Sequence, residues 1–265
     1  MKLALAALLV LAACGNNNNG GGSGNVDGGS PDGGGSDSGV GSGSGSDGGD
    51  ENCGTLRGVI RDFHDHTKVA GANPDFEVTP NKDEVVPGLV TATITPGGKP
   101  TLSANPPAAG LITSPATFAQ WYTDVDGANM HFEQDFVLTA EASGSYVFDN
   151  GAYFPIDNKG FGNEGNPHNY HFTTELHATF PYNGGEVFTF RGDDDVWVYV
   201  NGKLAIDIGG VHSASTATID FDARAAELGI TKGSEYAIDF FQAERHVTGS
   251  NFRIETTISC FGILF

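Results

Sequence analysis

Three consecutive carboxylates, Asp193 to Asp195, stand between two stretches in which apolar and polar residues alternate. Adjacent carboxylates repel one another, and each raises the pKa of its neighbours unless a cation balances the charge. Ca²⁺ takes oxygen ligands in irregular geometry, so it is the cation that such a cluster favours. A solvated turn accounts for the same residues without a metal, because Asp is frequent in turns. Composition alone leaves both interpretations open.

Further polar side chains are candidates for a ligand pocket near these aspartates. His212 follows a Gly-Gly pair, and Arg245 and His246 follow a stretch of strand-forming residues. If the strand ends converge, these side chains and Asp195 form the rim of a ligand pocket near Asp193. A structural ion pair between Glu244 and Arg245 is the alternative for the last stretch.

The remaining histidines show no zinc-site pattern. His168, His171 and His177 lie close in sequence, but their spacing matches no zinc site. His64 and His66 could ligate a transition metal from one face of a strand, and a solvated loop is the simpler interpretation.

Short strands are the elements that must position these residues. Residues 196–200 and 203–207 alternate on either side of Asn201-Gly202, which is the strongest short-range signal of a β-hairpin. Two short helices are predicted, one from Ser114-Pro115 to Trp121 and one capped by Asp222. The other predicted strands are 170–180, 186–191, 216–221, 236–241 and 252–258. The pattern predicts an all-β fold, an antiparallel β-sandwich with long loops.

Three aromatic residues have two possible roles. Trp121, Trp197 and Tyr199 can stack on sugar rings at a binding surface. Trp197 and Tyr199 lie in a dense apolar strand, so they can equally belong to the core, where aromatic residues usually lie.

Composition divides the 265 residues into three regions. Residues 1–13 carry Lys2 and an apolar run that is too short to span a bilayer, as in a secretory signal peptide. Residues 14–52 are rich in Gly, Ser, Asn and Asp and lack aromatic residues, which predicts a disordered tether. Residues 53–265 hold every aromatic residue and are predicted to form one β-sandwich domain.

The three cysteines have separate predicted roles. Residues 11–15, Leu-Ala-Ala-Cys-Gly, resemble a bacterial lipobox, which implies a lipid on Cys14 and anchoring at the outer membrane or cell surface. Ordinary signal cleavage, which leaves Cys14 as a free thiol, is the alternative. Cys53 and Cys260 remain, and an exported protein most simply pairs them in a disulfide.

The charge balance excludes one class of partner. With 33 acidic and 13 basic residues the formal net charge is −20. Nucleic acids require basic patches, so no nucleic-acid partner is predicted. Contact with a membrane is expected through the N-terminal lipid only.

The stretch from Asp193-Asp194 through Val200-Asn201-Gly202-Lys203 resembles the core of the PA14 β-sandwich domain. It is more similar still to the fibro-slime branch of that superfamily, which occurs in exported proteins. The similarity extends in order over nearly all of 54–259. The supporting segments are 60–63, 74–77, 120–122, 153–162, 168–175, 209–212, 241–246 and 249–252.

The resemblance implies a metal site. In PA14-type adhesins two adjacent aspartates, joined by a cis peptide, hold Ca²⁺ that in turn binds sugar hydroxyls. Asp193 and Asp194 occupy these positions, and Asn251 is the nearest counterpart of an Asn ligand from a late loop. Asp195 stands where many PA14 sequences have Gly, a change expected to alter the entrance of the site.

These observations predict a surface-anchored, non-catalytic module that recognises a glycan or extracellular matrix component with the help of Ca²⁺. The alternative is a structural or protein–protein adhesion module in which bound calcium only stabilises the fold. No pair of carboxylates stands out as the acid and nucleophile of a glycosidase, so no enzymatic activity is expected.

Overall fold

Two antiparallel β-sheets make up the fold, which confirms the predicted all-β sandwich. The structure is a computed structural model that describes residues 53–77, 83–107 and 110–263. The predicted signal peptide, Cys14 and the tether therefore lie outside the described residues. Within those ranges, no helix has the length and apolar character needed to cross a membrane.

The larger sheet has seven strands and the smaller has five. The strands are β1 (Thr55–Phe63), β2 (Asn129–Val137), β3 (Thr139–Ala140), β4 (Tyr146–Asn150), β5 (Phe172–Tyr182), β6 (Val187–Gly192), β7 (Asp195–Val200), β8 (Lys203–Ile208), β9 (Ser215–Asp220), β10 (Ser234–Glu244), β11 (Phe252–Thr256) and β12 (Gly262–Ile263). The larger sheet runs β2-β1-β5-β10-β7-β8, with β12 beside β5, and the smaller runs β3-β4-β11-β6-β9. Since β6 and β7 belong to different sheets, the chain crosses between the sheets after Gly192.

The hairpin of β7 and β8 forms where the Asn-Gly signal predicts it. Asn201 has φ 50° and Gly202 has φ 74°. Two positive φ angles in succession are the requirement of the tight turn that matches the twist of the flanking strands. The prediction of this hairpin is confirmed.

Both predicted helices form, with different limits. Helix α1 (Pro115–Phe118) begins after Ser114, whose side chain accepts a hydrogen bond from the Thr117 amide. It ends before Trp121, earlier than predicted. Helix α2 (Phe221–Leu228) is capped by Asp220. Asp222 was the predicted cap, but it lies in the first helical turn, where a carboxylate also interacts favourably with the helix dipole.

The main core lies between the two sheets. Ile60, Phe172 and Phe240 of the larger sheet and Phe190 and Ile254 of the smaller one are buried there. These residues alternate with others along each strand, as burial of one strand face requires.

The other face of the larger sheet is also covered, by the chain between β1 and β2. Phe76 and Phe118 from this covering segment pack with Trp121, Trp197 and Tyr199 in a second apolar cluster. The last three residues are almost fully buried. They belong to the core and offer no stacking surface for a sugar, which decides between the two roles left open by the sequence.

A disulfide joins the two ends of the described chain. Cys53 and Cys260 are bonded across a sequence separation of 207 residues. The predicted pairing is confirmed.

A charged network on the larger sheet holds His177 between two carboxylates. Its Nδ1 lies 2.7 Å from Asp239 Oδ1 and its Nε2 lies 2.6 Å from Glu175 Oε1. Burial alone would lower the pKa of His177, but the hydrogen bonds to Asp239 and Glu175 outweigh burial and raise the pKa to about 9. The imidazolium is therefore the form that the fold stabilises.

This raised pKa predicts a specific pH dependence of stability. The contribution is fully present below the unfolded-state pKa of 6.5 and is lost as the pH rises through about 9. We expect the free energy of unfolding to decrease between these pH values, and to decrease less in His177→Gln. Urea denaturation across this range measures the effect, with His131→Gln, a histidine 40% exposed, as control. Equal slopes for wild type and His177→Gln would contradict the assignment.

Candidate metal and ligand site

The aspartate pair lies at the crossing between the two sheets. Asp193 and Asp194 join the end of β6 to the start of β7, and the peptide bond between them is cis, as the resemblance implied. β11 pairs with β6 and β10 pairs with β7, both antiparallel. The start of β11 and the end of β10 therefore meet at this point, and they bring Asn251 and Glu244 to it.

Asp193 is held by Asn251. The main-chain amide of Asn251 donates to Asp193 Oδ1, and its Nδ2 donates to Oδ2 at 2.9 Å. Burial raises the pKa of Asp193, and these hydrogen bonds only partly oppose the rise. The predicted association of Asp193 with Asn251 is present in the structure. Because Nδ2 is used as a donor, Oδ1 is the side-chain atom with which Asn251 would bind a cation.

Asp194 is almost completely buried, with 2% of its surface exposed. Its carboxylate accepts hydrogen bonds from the main-chain amides of His212, at 3.2 Å, and Arg245, at 3.1 Å. Burial raises the pKa of Asp194 well above the ordinary value, and Asp195 and Asp193 raise it further against the opposing charge of Arg245. The direction of this shift agrees with the repulsion between carboxylates expected from the sequence.

Asp195 and Arg245 form an ion pair inside the domain. Arg245 Nε lies 2.6 Å from Asp195 Oδ2, and neither side chain has any exposed surface. Arg245 also donates from Nη1 to the carbonyls of Asp75 and Leu111, and its guanidinium lies 4.9 Å from the Trp121 ring centroid. Contrary to the sequence-based expectation, Asp195 and Arg245 do not line a ligand pocket, because they tie β7 and β10 to the covering segment.

The side chains of the two predicted pocket histidines have different partners. His212 is 5% exposed, and its ring nitrogens lie 2.9 Å from the Ser213 carbonyl and 3.1 Å from the Ile208 carbonyl. It holds the loop whose amide binds Asp194. His246 lies instead near Glu77, with its Nε2 3.3 Å from Glu77 Oε1.

Glu244 is a buried carboxylate that does not pair with Arg245. The ion pair between them was the alternative to the ligand pocket, but consecutive residues of a strand point to opposite faces. Glu244 is 0% exposed and forms no ion pair among the described residues, and the polar groups beside its carboxylate are the Ser250 side chain and the His246 main-chain amide. Burial raises its pKa well above the ordinary value, and Asp194 and Asp193 raise it further, while nearby Ser250 partly opposes them. The sequence signal that could have identified Glu244 as part of the site is its position, as an acidic residue, just after a predicted strand.

The residues at the crossing fit a calcium ion in their chemistry. Asp193, Asp194 and Asn251 supply oxygen atoms, the ligands that Ca²⁺ takes. Glu244, which has no cationic partner among the described residues, adds a further acidic group near the pair that a cation would stabilise in its ionised form. Among the described residues, one group of three acidic or histidine side chains has ligand atoms within 4.8 Å of one another. This group is Asp65, Glu77 and His171, and it does not include Asp193, Asp194 or Glu244. Glu244 is therefore not counted as a third carboxylate ligand here.

The segment that carries the aspartate pair is similar to a known protein family. Residues 157–260 match the PA14 domain. The PA14-like segment includes β5 to β11 and thus both aspartates, Asn251 and the end of β10. The resemblance to the PA14-like superfamily is supported by this match.

Proteins of Dictyostelium discoideum are similar in sequence to a larger part of the chain. Protein psiQ is 38% identical over 201 residues, which cover 70% of this chain and 20% of psiQ. Protein psiC is 37% identical over 202 residues, which cover 71% of this chain and 38% of psiC. The chain thus spans well under half the length of these relatives. They give no support to a bacterial lipoprotein, which stays a prediction from the first residues.

Solved structures show a weaker similarity. A structure described as the PA14 sugar-binding domain from RTX adhesin aligns with 17% sequence identity and a TM-score of 0.28. The alignment covers 46% of this chain and 75% of that domain.

Proposed function

We propose that residues 53–265 form a non-catalytic module that binds a glycan, or other extracellular matrix material, through Ca²⁺ held by Asp193 and Asp194. The observation that carries the proposal is the burial of two adjacent carboxylates at the crossing between the sheets, with raised pKa values and an uncompensated Glu244 nearby. A divalent cation is the partner that allows these groups to be ionised together.

Asn251 completes the proposed set of ligands. It lies just before β11, and its contact with Asp193 holds it at the crossing. A calcium ion in this place supplies a positive centre to which neutral hydroxyl groups can bind. The choice of glycans as the ligand class rests on the PA14 resemblance, because calcium binds sugar hydroxyls in PA14-type adhesins.

The setting of the module is part of the proposal. A lipid on Cys14 would anchor the chain to the outer membrane or cell surface, and residues 14–52 would hold the domain away from it. No catalytic step is included.

The glycan proposal makes a direct prediction. We expect the full chain to bind at least one glycan of an array in calcium buffer, and to lose this binding in Asp194→Asn. Asp149→Asn is the matched control, because Asp149 is 53% exposed on β4 and pairs with Arg253. Glycan binding that persists in Asp194→Asn, or that does not depend on calcium, would contradict the proposal.

One observation favours a second candidate, a structural adhesion module with a stabilising ion. Asp193 is 7% exposed and Asp194 2%, so little of the pair reaches the surface. In that case Asp194→Asn lowers the melting temperature in calcium, while binding to matrix partners is unchanged once the variant is folded. The glycan array and the melting temperature together distinguish the two candidates.

A further inference from the structure

A second group of metal-ligating side chains lies at one edge of the larger sheet. β1, β5 and β10 are antiparallel neighbours, so the end of β1, the start of β5 and the end of β10 meet at this edge. Asp65 follows β1, His171 precedes β5 and His246 follows β10. Glu77 reaches the same place from the covering segment.

Three of these side chains converge closely. The ligand atoms of Asp65, Glu77 and His171 all lie within 4.8 Å of one another. His171 Nε2 is 3.0 Å from Glu77 Oε2, and the side chains of His171 and Asp65 are each only 3% exposed. A buried set of one imidazole and two carboxylates offers both nitrogen and oxygen ligands.

His246 adds a second imidazole that points to a missing partner. Its Nε2 lies 3.3 Å from Glu77 Oε1, and its side chain is 13% exposed. Neither ring nitrogen makes a hydrogen bond to the described residues. Apart from the Glu77 contact the ring has no partner in the described part of the chain, and because buried polar atoms nearly always have one, His246 is a candidate ligand for an ion. Glu77 thus lies between two imidazoles, one on each carboxylate oxygen.

The surrounding groups hold this arrangement and add negative charge. Glu164 Oε2 accepts a hydrogen bond of 2.7 Å from the Asp65 main-chain amide, and the same oxygen lies 4.0 Å from His171 Nδ1. The Glu77 amide donates to the Arg245 carbonyl at 2.8 Å. Lys68, 40% exposed, is 3.3 Å from Asp65 and is the nearby cation. The three carboxylates of Asp65, Glu77 and Glu164 therefore face one lysine and three imidazoles, since His64 Nδ1 also lies 2.6 Å from Glu164 Oε1.

We propose that Asp65, Glu77 and His171 bind a first-row transition-metal ion, with His246, which contacts Glu77 alone, as the fourth ligand once the ion is bound and Zn²⁺ as the best match. Imidazole nitrogen together with carboxylate oxygen suits zinc and its neighbours, whereas Ca²⁺ and Mg²⁺ take oxygen ligands. Through Glu77, the ion links the covering segment to the start of β5 and the end of β10. This site differs in ligands and place from the aspartate pair, and it does not rest on the proposed function.

Three other histidines considered in the sequence have partners of their own. His64 Nδ1 lies 2.6 Å from Glu164, His66 Nδ1 contacts the Phe76 carbonyl, and His168 Nδ1 lies 2.6 Å from Asp157. The proposed ligands come instead from four separate parts of the chain, and the pairing of β1, β5 and β10 brings them together.

Titration of the full chain with Co²⁺ and then Zn²⁺ tests the site. The protein is first freed of metal and then given excess Ca²⁺, so that the aspartate pair is occupied by calcium. We expect saturable binding of a single Co²⁺ ion with the absorption bands of a site of low coordination number, and its displacement by Zn²⁺. His246→Ala and Glu77→Gln should each weaken binding at least about tenfold.

Two control variants test whether binding depends on these four ligands alone. His131→Ala removes an exposed histidine outside the site and should leave the affinity unchanged. Asp149→Asn removes an exposed carboxylate on β4 and should also leave it unchanged, and the excess calcium keeps the outcome separate from that of the calcium proposal. Absence of saturable binding to the wild type would overturn the proposal. Affinity equal to wild type in both His246→Ala and Glu77→Gln would overturn it as well.

Discussion

Replacing Arg245 with Met is expected to lower the free energy of unfolding by about 3–5 kcal/mol, because it leaves Asp195 as an unpaired charge in the interior. Asp195 and Arg245 are both fully buried and lie 2.6 Å apart. The substitution also removes the donors to the Asp75 and Leu111 carbonyls, which then lose these partners. Urea denaturation of the full chain measures the loss.

An exposed ion pair provides the matched control. Arg253 is 31% exposed and pairs with Asp149 and Glu255 at the surface. Exposed pairs contribute about 1 kcal/mol or less, so Arg253→Met should change stability far less than Arg245→Met. Similar losses in the two variants would show that the Arg245 pair contributes no more than a surface pair.

Loss of the disulfide is the second large expected effect. Cys53 and Cys260 close a loop with a sequence separation of 207 residues, and the chain-entropy model assigns such a loop about 5 kcal/mol. We expect the Cys53→Ser/Cys260→Ser double variant to lose stability of this order. A Cys14→Ser background removes the third thiol from both proteins that are compared.

The reducing agent supplies the control for this experiment. Reductant should destabilise the Cys14→Ser protein and leave the double variant in the same background unaffected. If reductant does not change the stability of either protein, the two cysteines are not bonded in solution.

The second half of the fold could be predicted because its signals are local. Alternation marks β7 and β8, and the Asn201-Gly202 pair fixes the turn between them. β1 was not predicted, since Arg61 and Asp62 interrupt its apolar pattern. Both are buried in the structure, where Glu175 forms an ion pair with Arg61 and Asn169 donates a hydrogen bond to Asp62. The described part of the covering segment has little regular structure. Its sequence therefore shows no periodic pattern from which its packing on the sheet could be predicted.

The candidate site was only partly predictable. The resemblance identified Asp193, Asp194 and Asn251, and the structure places Asn251 in contact with Asp193, the neighbour of Asp194 in the chain. The partner of Arg245 was missed because Glu244 is its neighbour in sequence, while Asp195 becomes its neighbour only when β7 pairs with β10. The same holds for Glu77 and His171, which are far apart in the chain.

The central claim is that the aspartate pair binds calcium, and the melting temperature of the full chain tests it most directly. Ca²⁺ is added to protein freed of metal, and wild type is compared with Asp194→Asn. At about one hundred times the dissociation constant, a bound ligand stabilises by about 2.7 kcal/mol, which corresponds to about 5–10 °C for a domain of this size. We predict this increase for the wild type and none for Asp194→Asn. A wild-type melting temperature that does not respond to calcium would contradict the account.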